Sequence, residues 1–560
     1  MHLKRTISIL IILMMGTMAE AQEPKLEELT KFDYSGGINA STTFYNVSGI
    51  PNRRDPFFWM INANLTFQLG PISMPFSASI STQSRNFTHP QPFNRVGISP
   101  KYKAFTAHLG YRSLQFSEFS LGGAEFLGIG IEYQAKGSSI KATALYGRFQ
   151  KAGRERSYTG VPLYERWGYG TKLNYNKKDT DYSLILFKAK DDPNSLPDSL
   201  ADSLQITPAD NLVIGNLLRQ TIKKNLSLEV EYTLSAFTRD IRTPELVLEN
   251  YTYINNFGNI YQPRASSYIS DALQASVAYS QEKYQVNLSY RRVDPDYITL
   301  GAPFLTNDFQ DITVGGNVAL WEGKVNLAAQ AGFQKNDLKN ERLNQTKRAI
   351  GNFSVAYQAS EKLNINGSFA NFNTSTQMAQ FVQSSTGIDP DTLFFSQVNN
   401  NGNLNLTYQI PGEKVQQSYL LAASYQQTVS SQQGTSNFFN INLAYNLQNS
   451  GKYGLNVALN ANNTQMVGAQ SASIGPVVSF NKGFMDNKLR SMISLVQQQT
   501  YNMGELTGAL WAARCNLTYP VSKKQNMAFN AAYTHRHNNN AEKTTKVKEL
   551  RATLNYQISF

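Results

Sequence analysis

The side chains able to do chemistry are few, and their spacing does not assemble them into a reaction centre. The chain holds five histidines and one cysteine. His535 and His537 flank Arg536 and share one face of a strand, a spacing at which two imidazoles could bind one metal. No further ligand is indicated beside them, so they are expected to be polar residues at a strand margin. Cys515 alone can form neither an internal disulfide nor a cysteine cluster. The stretch 191–210 offers Asp191, Asp192, Asp198, Asp202 and Asp210, oxygen ligands of the kind divalent cations favour. Their spacing is not that of an EF-hand, and a solvated acidic loop with a short helical turn is expected. Gly128 and Gly130 resemble part of a nucleotide loop, but no helix follows them, so they are read as strand glycines. None of the patterns H-E-x-x-H, Walker A or G-x-S-x-G occurs. The expectation is a protein that is not an enzyme and has no cofactor or metal.

The elements that carry these residues are strands. Leu226, Leu228, Val230, Tyr232 and Leu234 alternate with Ser227, Glu229, Glu231, Thr233 and Ser235. The same period of two runs through 284–290, 404–410 and 439–447, and such a strand is greasy on one face and wet on the other. Strand after strand also ends in an aromatic residue followed by a lysine-bearing turn: Tyr133 with Lys136, Tyr175 with Lys177, Tyr279 with Lys283, Trp321 with Lys324, Tyr357 with Lys362, Tyr445 with Lys452 and Tyr519 with Lys523. Rings at one level read as an interfacial girdle. Tight turns near Gly137, Asp179, Lys223, Glu282, Gly323, Glu361, Gly412, Gly451 and Ser522 alternate with longer connections over 152–163, 191–210, 239–268, 295–308, 337–344 and 375–395.

The last fifteen residues, KVKELRATLNYQISF, alternate most clearly and end on Phe560, with Tyr556 and Ile558 on the same apolar face. Here the chain resembles the Gram-negative outer-membrane β-barrels, whose closing strand typically ends in a Phe read by the barrel-assembly machinery. The resemblance implies an all-β, single-chain transmembrane antiparallel barrel in the cell outer membrane. It also implies outer-membrane lipid and the assembly machinery as partners, with Tyr556, Ile558 and Phe560 as the assembly signal. Strand counting gives about 26 strands, with a range of about 24–28, provided that 94–113 is split near Lys101–Lys103, because both termini should lie on the periplasmic side.

The N-terminus fits that route. His2, Lys4 and Arg5 precede the apolar run ISILIILMM, and Ala19-Glu20-Ala21 follows it. Together they predict a signal peptide over 1–21, cleaved near Ala21. A short periplasmic linker over 22–32 and a barrel over 33–560 follow. The formal charge of +12 is spread through turns and strand ends without a basic block, which argues against nucleic acid and points to anionic surroundings or an anion preference.

Two segments are candidates for function. In FSEFSLGGAEF (116–126), Phe116, Phe119, Leu121 and Phe126 would be costly in water, and Gly122 and Gly123 permit a sharp turn. The expectation is that this segment tucks into the lumen and narrows it, with Glu118 and Glu125 as polar contacts. Packing on neighbouring outer loops is the alternative. In the loop 239–268, Tyr251, Tyr253, Phe257 and Tyr261 stand among asparagines and could stack on a glycan or peptide. Packing of that loop on itself or over the barrel mouth is the other expectation. A barrel of this size implies, by fold analogy, a porin-like channel or transporter with inward-folded outer loops. The alternative is a non-catalytic structural or assembly subunit with a plugged lumen, bound to outer-membrane or periplasmic protein partners.

Overall fold

The computed structural model describes residues 31–82, 94–153, 162–249, 251–255, 257–339, 347–384, 387–430, 434–449, 452–540 and 543–560. The signal peptide expected over 1–21 and nearly all of the 22–32 linker lie outside them.

The alternating pattern builds a wall with two different faces. In the last strand (Lys543–Ser559), Leu550 and Leu554 are exposed on one face. Thr553 points to the other, where its hydroxyl meets that of Thr43 at 3.0 Å. Exposed apolar residues such as Ile129, Leu288, Leu443 and Leu495 continue the outward face around the wall. A face of this kind requires hydrocarbon as its solvent. Neighbouring strands pair antiparallel, and the first strand (Phe32–Ser48) pairs with the last from Gly37↔Ser559 to Ser48↔Lys548. This closes the sheet and leaves no free edge.

Arg95–Ile98 and Lys101–Tyr102 both lie between Ile72–Ser81 and Phe105–Gln115. They are two halves of one strand, interrupted at Pro100, which has no N–H for the ladder. The barrel therefore has 26 strands. The chain reverses at Lys103–Ala104, close to where parity requires a turn. The fold is a transmembrane antiparallel β-barrel.

The aromatic residues meet beside the short turns. Ring centroids are 5.1 Å apart for Phe105 and Tyr133, 6.3 Å for Tyr279 and Tyr284, 5.1 Å for Tyr419 and Tyr445, and 6.2 Å for Tyr453 and Phe480. At the seam, Phe560 packs edge-on against Tyr34 at 5.2 Å and donates its N–H to Gly36 O. Tyr556 and Ile558 stand opposite Ala40 and Ile38. The girdle is thus continuous across the closure.

The two rims differ, and so do the two halves of the chain. Long connections at the rim opposite the girdle fall in the first half, at 193–209, 239–266 and 294–308 among others. The corresponding turns at Val467–Gly468 and Met503–Gly504 in the second half are tight. The segment 375–395 is not the loop its length suggests. Leu363–Ser384 and Gly387–Ile410 pair throughout, up to Ser384↔Gly387. The physical reason lies in its Thr, Val and Phe content, which favours a pleated backbone over a turn. All four clusters of buried apolar side chains among the described residues draw on Leu114 to Phe309.

Closure can be tested at the seam. In a Cys515→Ala background, Thr43→Cys with Thr553→Cys should form a disulfide in the membrane-inserted protein and none in the urea-unfolded chain, as read by gel mobility with and without reductant. Absence of the cross-link in the inserted protein would contradict the seam register.

Candidate functional site: the segments folded onto the inner wall

The connection between Phe105–Gln115 and Gly122–Gln134 does not stand out into solvent. Phe116, Phe119, Leu121 and Phe126 are buried on the inner face of the wall, each worth about 1.5–3 kcal/mol over an exposed position. Gly123 adopts φ +86°, a backbone that only glycine takes without strain, and Gly122 lies so close to Ala302 that a Cβ would come within 3.0 Å. The wall makes room for the rings. A Cβ on Gly147 would sit 2.7 Å from the Phe126 ring, and one on Gly170 would sit 2.7 Å from Phe116. Gly128 and Gly130 belong to this same wall, inside the strand Gly122–Gln134.

The polar groups of the segment are held individually. Lys172 donates to Phe116 O at 2.7 Å, and the Ser117 and Ser120 hydroxyls are 2.6 Å apart. Glu118 pairs with Arg291 at 2.5 Å, and Glu125 with Arg95 at 2.7 Å. The Arg291 guanidinium also lies 5.2 Å from the Phe119 ring centroid and 5.1 Å from that of Phe309. A cation over two ring faces is stabilised by their quadrupoles.

A second segment, 294–308, locks the first in place. Tyr297 donates its hydroxyl to Phe119 O at 2.5 Å, Thr299 donates to Ser120 O at 2.6 Å, and Gly122 N–H reaches Gly301 O at 3.1 Å. Burial pushes the Tyr297 phenol well above its ordinary range, so it remains a donor. From the wall, Ser235 donates to Ile298 O at 2.6 Å, and the fully buried Asn211 accepts from Leu300 N at 3.0 Å. Sequence reasoning counted this stretch only as an outer loop. The signal available was its Tyr297, Ile298 and Leu300, apolar residues in a place where water was expected.

The aromatic loop 239–268 takes the opposite side of the wall. Ile254 and Tyr261 pack on Leu212 and Ala236, with Phe257 against them. Leu212 and Ala236 share their strands' parity with the exposed Tyr232 and Leu184, that is, the outward face. Tyr261 is 1% exposed and bonds Thr238 at 2.8 Å, so its ring is closed to any glycan or peptide. Tyr251 is exposed, and the side chain of Tyr253 lies outside the described residues. The ring of Tyr261 also covers Lys188, whose ammonium is 4.7 Å from its centroid and is paired with Asp210.

The acidic stretch 191–210 is likewise not a set of solvated carboxylates. Asp191 is buried against Arg166 at 2.7 Å, Asp210 is buried against Lys188, and Asp192 accepts the Asn194 N–H at the start of a helical turn. Only Asp198 and Asp202, on the short helix Asp198–Ser203, face solvent, and Asp202 bonds Arg242 at 2.9 Å. Among the described residues no group of three or more His, Cys, Asp or Glu side chains could hold a metal ion. His535 and His537 share the outward face and stand opposite Lys548 and Lys546, neighbours that disfavour a cation.

No family model and no curated protein matches this chain. Among solved structures it is similar to the Acinetobacter baumannii OccAB4, at 12% identity with a TM-score of 0.29, over 69% of this chain and 99% of that one. It is similar also to the copper transporter OprC, at 10% identity and 0.39, over 96% and 82%. A third is the P pilus usher PapC translocation pore, at 8% and 0.40, over 94% and 99%. The likeness is one of barrel architecture, and the closure and outward face described above establish that architecture from the chain itself.

Asn211→Ala should release the second segment, because it leaves Leu300 N–H without its acceptor at a cost of about 1–3 kcal/mol. Amide exchange across Ile298–Gly301 should then quicken while the strands of 347–560 stay protected. Unchanged exchange in that loop would contradict the locking role.

Proposed function

We propose that the chain is a porin-like outer-membrane channel for small solutes. Its passage runs off-centre, between the inward-folded segments and the bare inner wall of residues 347–560. One observation carries this reading: among the described residues, segments pack on the inner face over one half of the chain and none covers it over the other. On the uncovered half, side-chain amides and hydroxyls line the wall. Asn442 donates to Asn460 at 2.5 Å, Asn456 to Asn446 at 2.5 Å, and Gln498 to Ser473 at 2.7 Å. A wall of this kind suits water. A barrel of 26 strands is also too wide for its own side chains to fill.

In this reading the residues Phe116, Glu118, Phe119, Leu121, Gly122, Gly123, Glu125 and Phe126 form the constriction, with Glu118 and Glu125 on its margin. The apolar outward face of the closed barrel supports a membrane location. Purified protein in planar bilayers should show discrete conductance steps, and deleting Ser117–Ser120 should enlarge them. A silent wild-type barrel would instead favour a structural or assembly subunit with a closed lumen.

A further inference from the structure

The wall opposite the packed segments carries a charge pattern that no single stretch of sequence displays. Arg490, Arg514, Arg536 and Arg551 lie on four consecutive strands, Leu489–Asn502, Glu505–Ser522, Gln525–Asn540 and Lys543–Ser559. Exposed Ile493, Leu495, Trp511, Phe529, Tyr533, Leu550 and Leu554 mark the outward faces of those strands. The two-residue period therefore turns all four arginines into the lumen. Register sets their heights. Arg514 and Arg551 flank Ala532 in one row. Arg490 lies in the row of Thr518, Ala528 and Asn555, and Arg536 lies four residues above Ala532. Four residues of strand are about 13 Å. The guanidiniums thus climb in steps from near the aromatic girdle toward the opposite rim.

The two sides of the lumen treat arginine differently. On the packed side Arg291, Arg95, Arg166 and Arg219 are each paired with a carboxylate, and Arg112 donates to the Ser77 hydroxyl and to Pro75 O. On the bare wall all four arginines are exposed, and among the described residues none takes part in an ion pair. Between the rows of Arg490 and Arg536 this face has one described carboxylate, Glu549, opposite Thr534. Arginines that served only to stay hydrated would have no reason to align. Unpaired guanidiniums in a cleft with low-dielectric walls focus a positive potential along it, and their planar forks match carboxylate and phosphate oxygens. Asn530 and Thr553, on the same face, add uncharged donors.

We infer that these four arginines form an anion track and that the channel's solutes are small oxyanions bearing carboxylate or phosphate. The inference rests on the channel reading above and adds to it the sign and chemistry of what passes. A bilayer experiment in a KCl gradient separates the two. The wild-type barrel should give a reversal potential of anion-selective sign, and added succinate or inorganic phosphate should reduce the chloride current. Arg514→Gln with Arg551→Gln should shift the reversal potential toward the cation-selective sign and weaken the block. Glu549→Gln should shift it the other way. Heat-modifiable gel mobility confirms that each variant is a folded barrel. Open channels that are cation-selective or unselective, or whose selectivity ignores these substitutions, would overturn the anion track while leaving the channel intact. Absence of any conductance would overturn the channel reading itself.

Discussion

A closed sheet of 26 strands encloses more space than inward side chains can reach across. Everything inside the barrel follows from how that space is used. Half of the chain folds its own connections inward. Their rings need somewhere dry, and the wall supplies glycines where Phe116 and Phe126 arrive. Their backbone groups need partners, and Asn211, Ser235 and Lys172 meet them. Buried polar groups without partners would offset much of what the burial of the rings returns, which explains why so many inward wall positions here are hydroxyl, amide or glycine. The same wall is covered on its outward face by the 239–268 loop, so the strands Thr180–Asp192, Asp210–Lys223 and Leu226–Thr238 are sandwiched at their upper ends.

The other half needs no such fitting. Its described turns, such as Val467–Gly468, Met503–Gly504 and Lys523–Lys524, are tight, its inner face carries amides and arginines, and its described buried side chains are small or hydrogen-bonded, such as Ala458, Ala512 and the Ser479–Ser494 pair. Charge follows the same division. Where segments pack, Arg291, Arg95 and Arg166 meet carboxylates and Arg112 meets a hydroxyl and a carbonyl, since an unpartnered charge away from water is expensive. On the wall of 347–560, Arg490, Arg514, Arg536 and Arg551 are exposed, and among the described residues none is in an ion pair.

Much of this architecture is legible in one sequence because its signals are local. The period of two in 546–560 specifies which side of the closing strand is wet, and the aromatic–lysine endings mark one rim. Phe116, Phe119 and Leu121 announce themselves as apolar residues at a turn position. The partner of that segment does not, because Asn211 and Ser235 look like any polar strand residues until register brings them under Ile298 and Leu300. Nor can Tyr251, Tyr253, Phe257 and Tyr261 reveal which side of the wall their loop takes. That depends on the surplus apolar surface of Leu212 and Ala236, cross-strand partners that only pairing brings together. The four arginines are scattered in sequence and aligned only by pairing.

The central claim is that one inner wall is packed and the other is open to water. Thiol labelling tests it directly. In a Cys515→Ala background, Ser235→Cys and Asn530→Cys each place one thiol on the inner face, the first beneath segment 294–308 and the second on the bare wall. In folded, membrane-inserted protein, a membrane-impermeant maleimide should modify the cysteine at 530 rapidly and leave that at 235 unmodified until the barrel is denatured. Equal labelling of both, or protection of the cysteine at 530, would contradict a one-sided lumen.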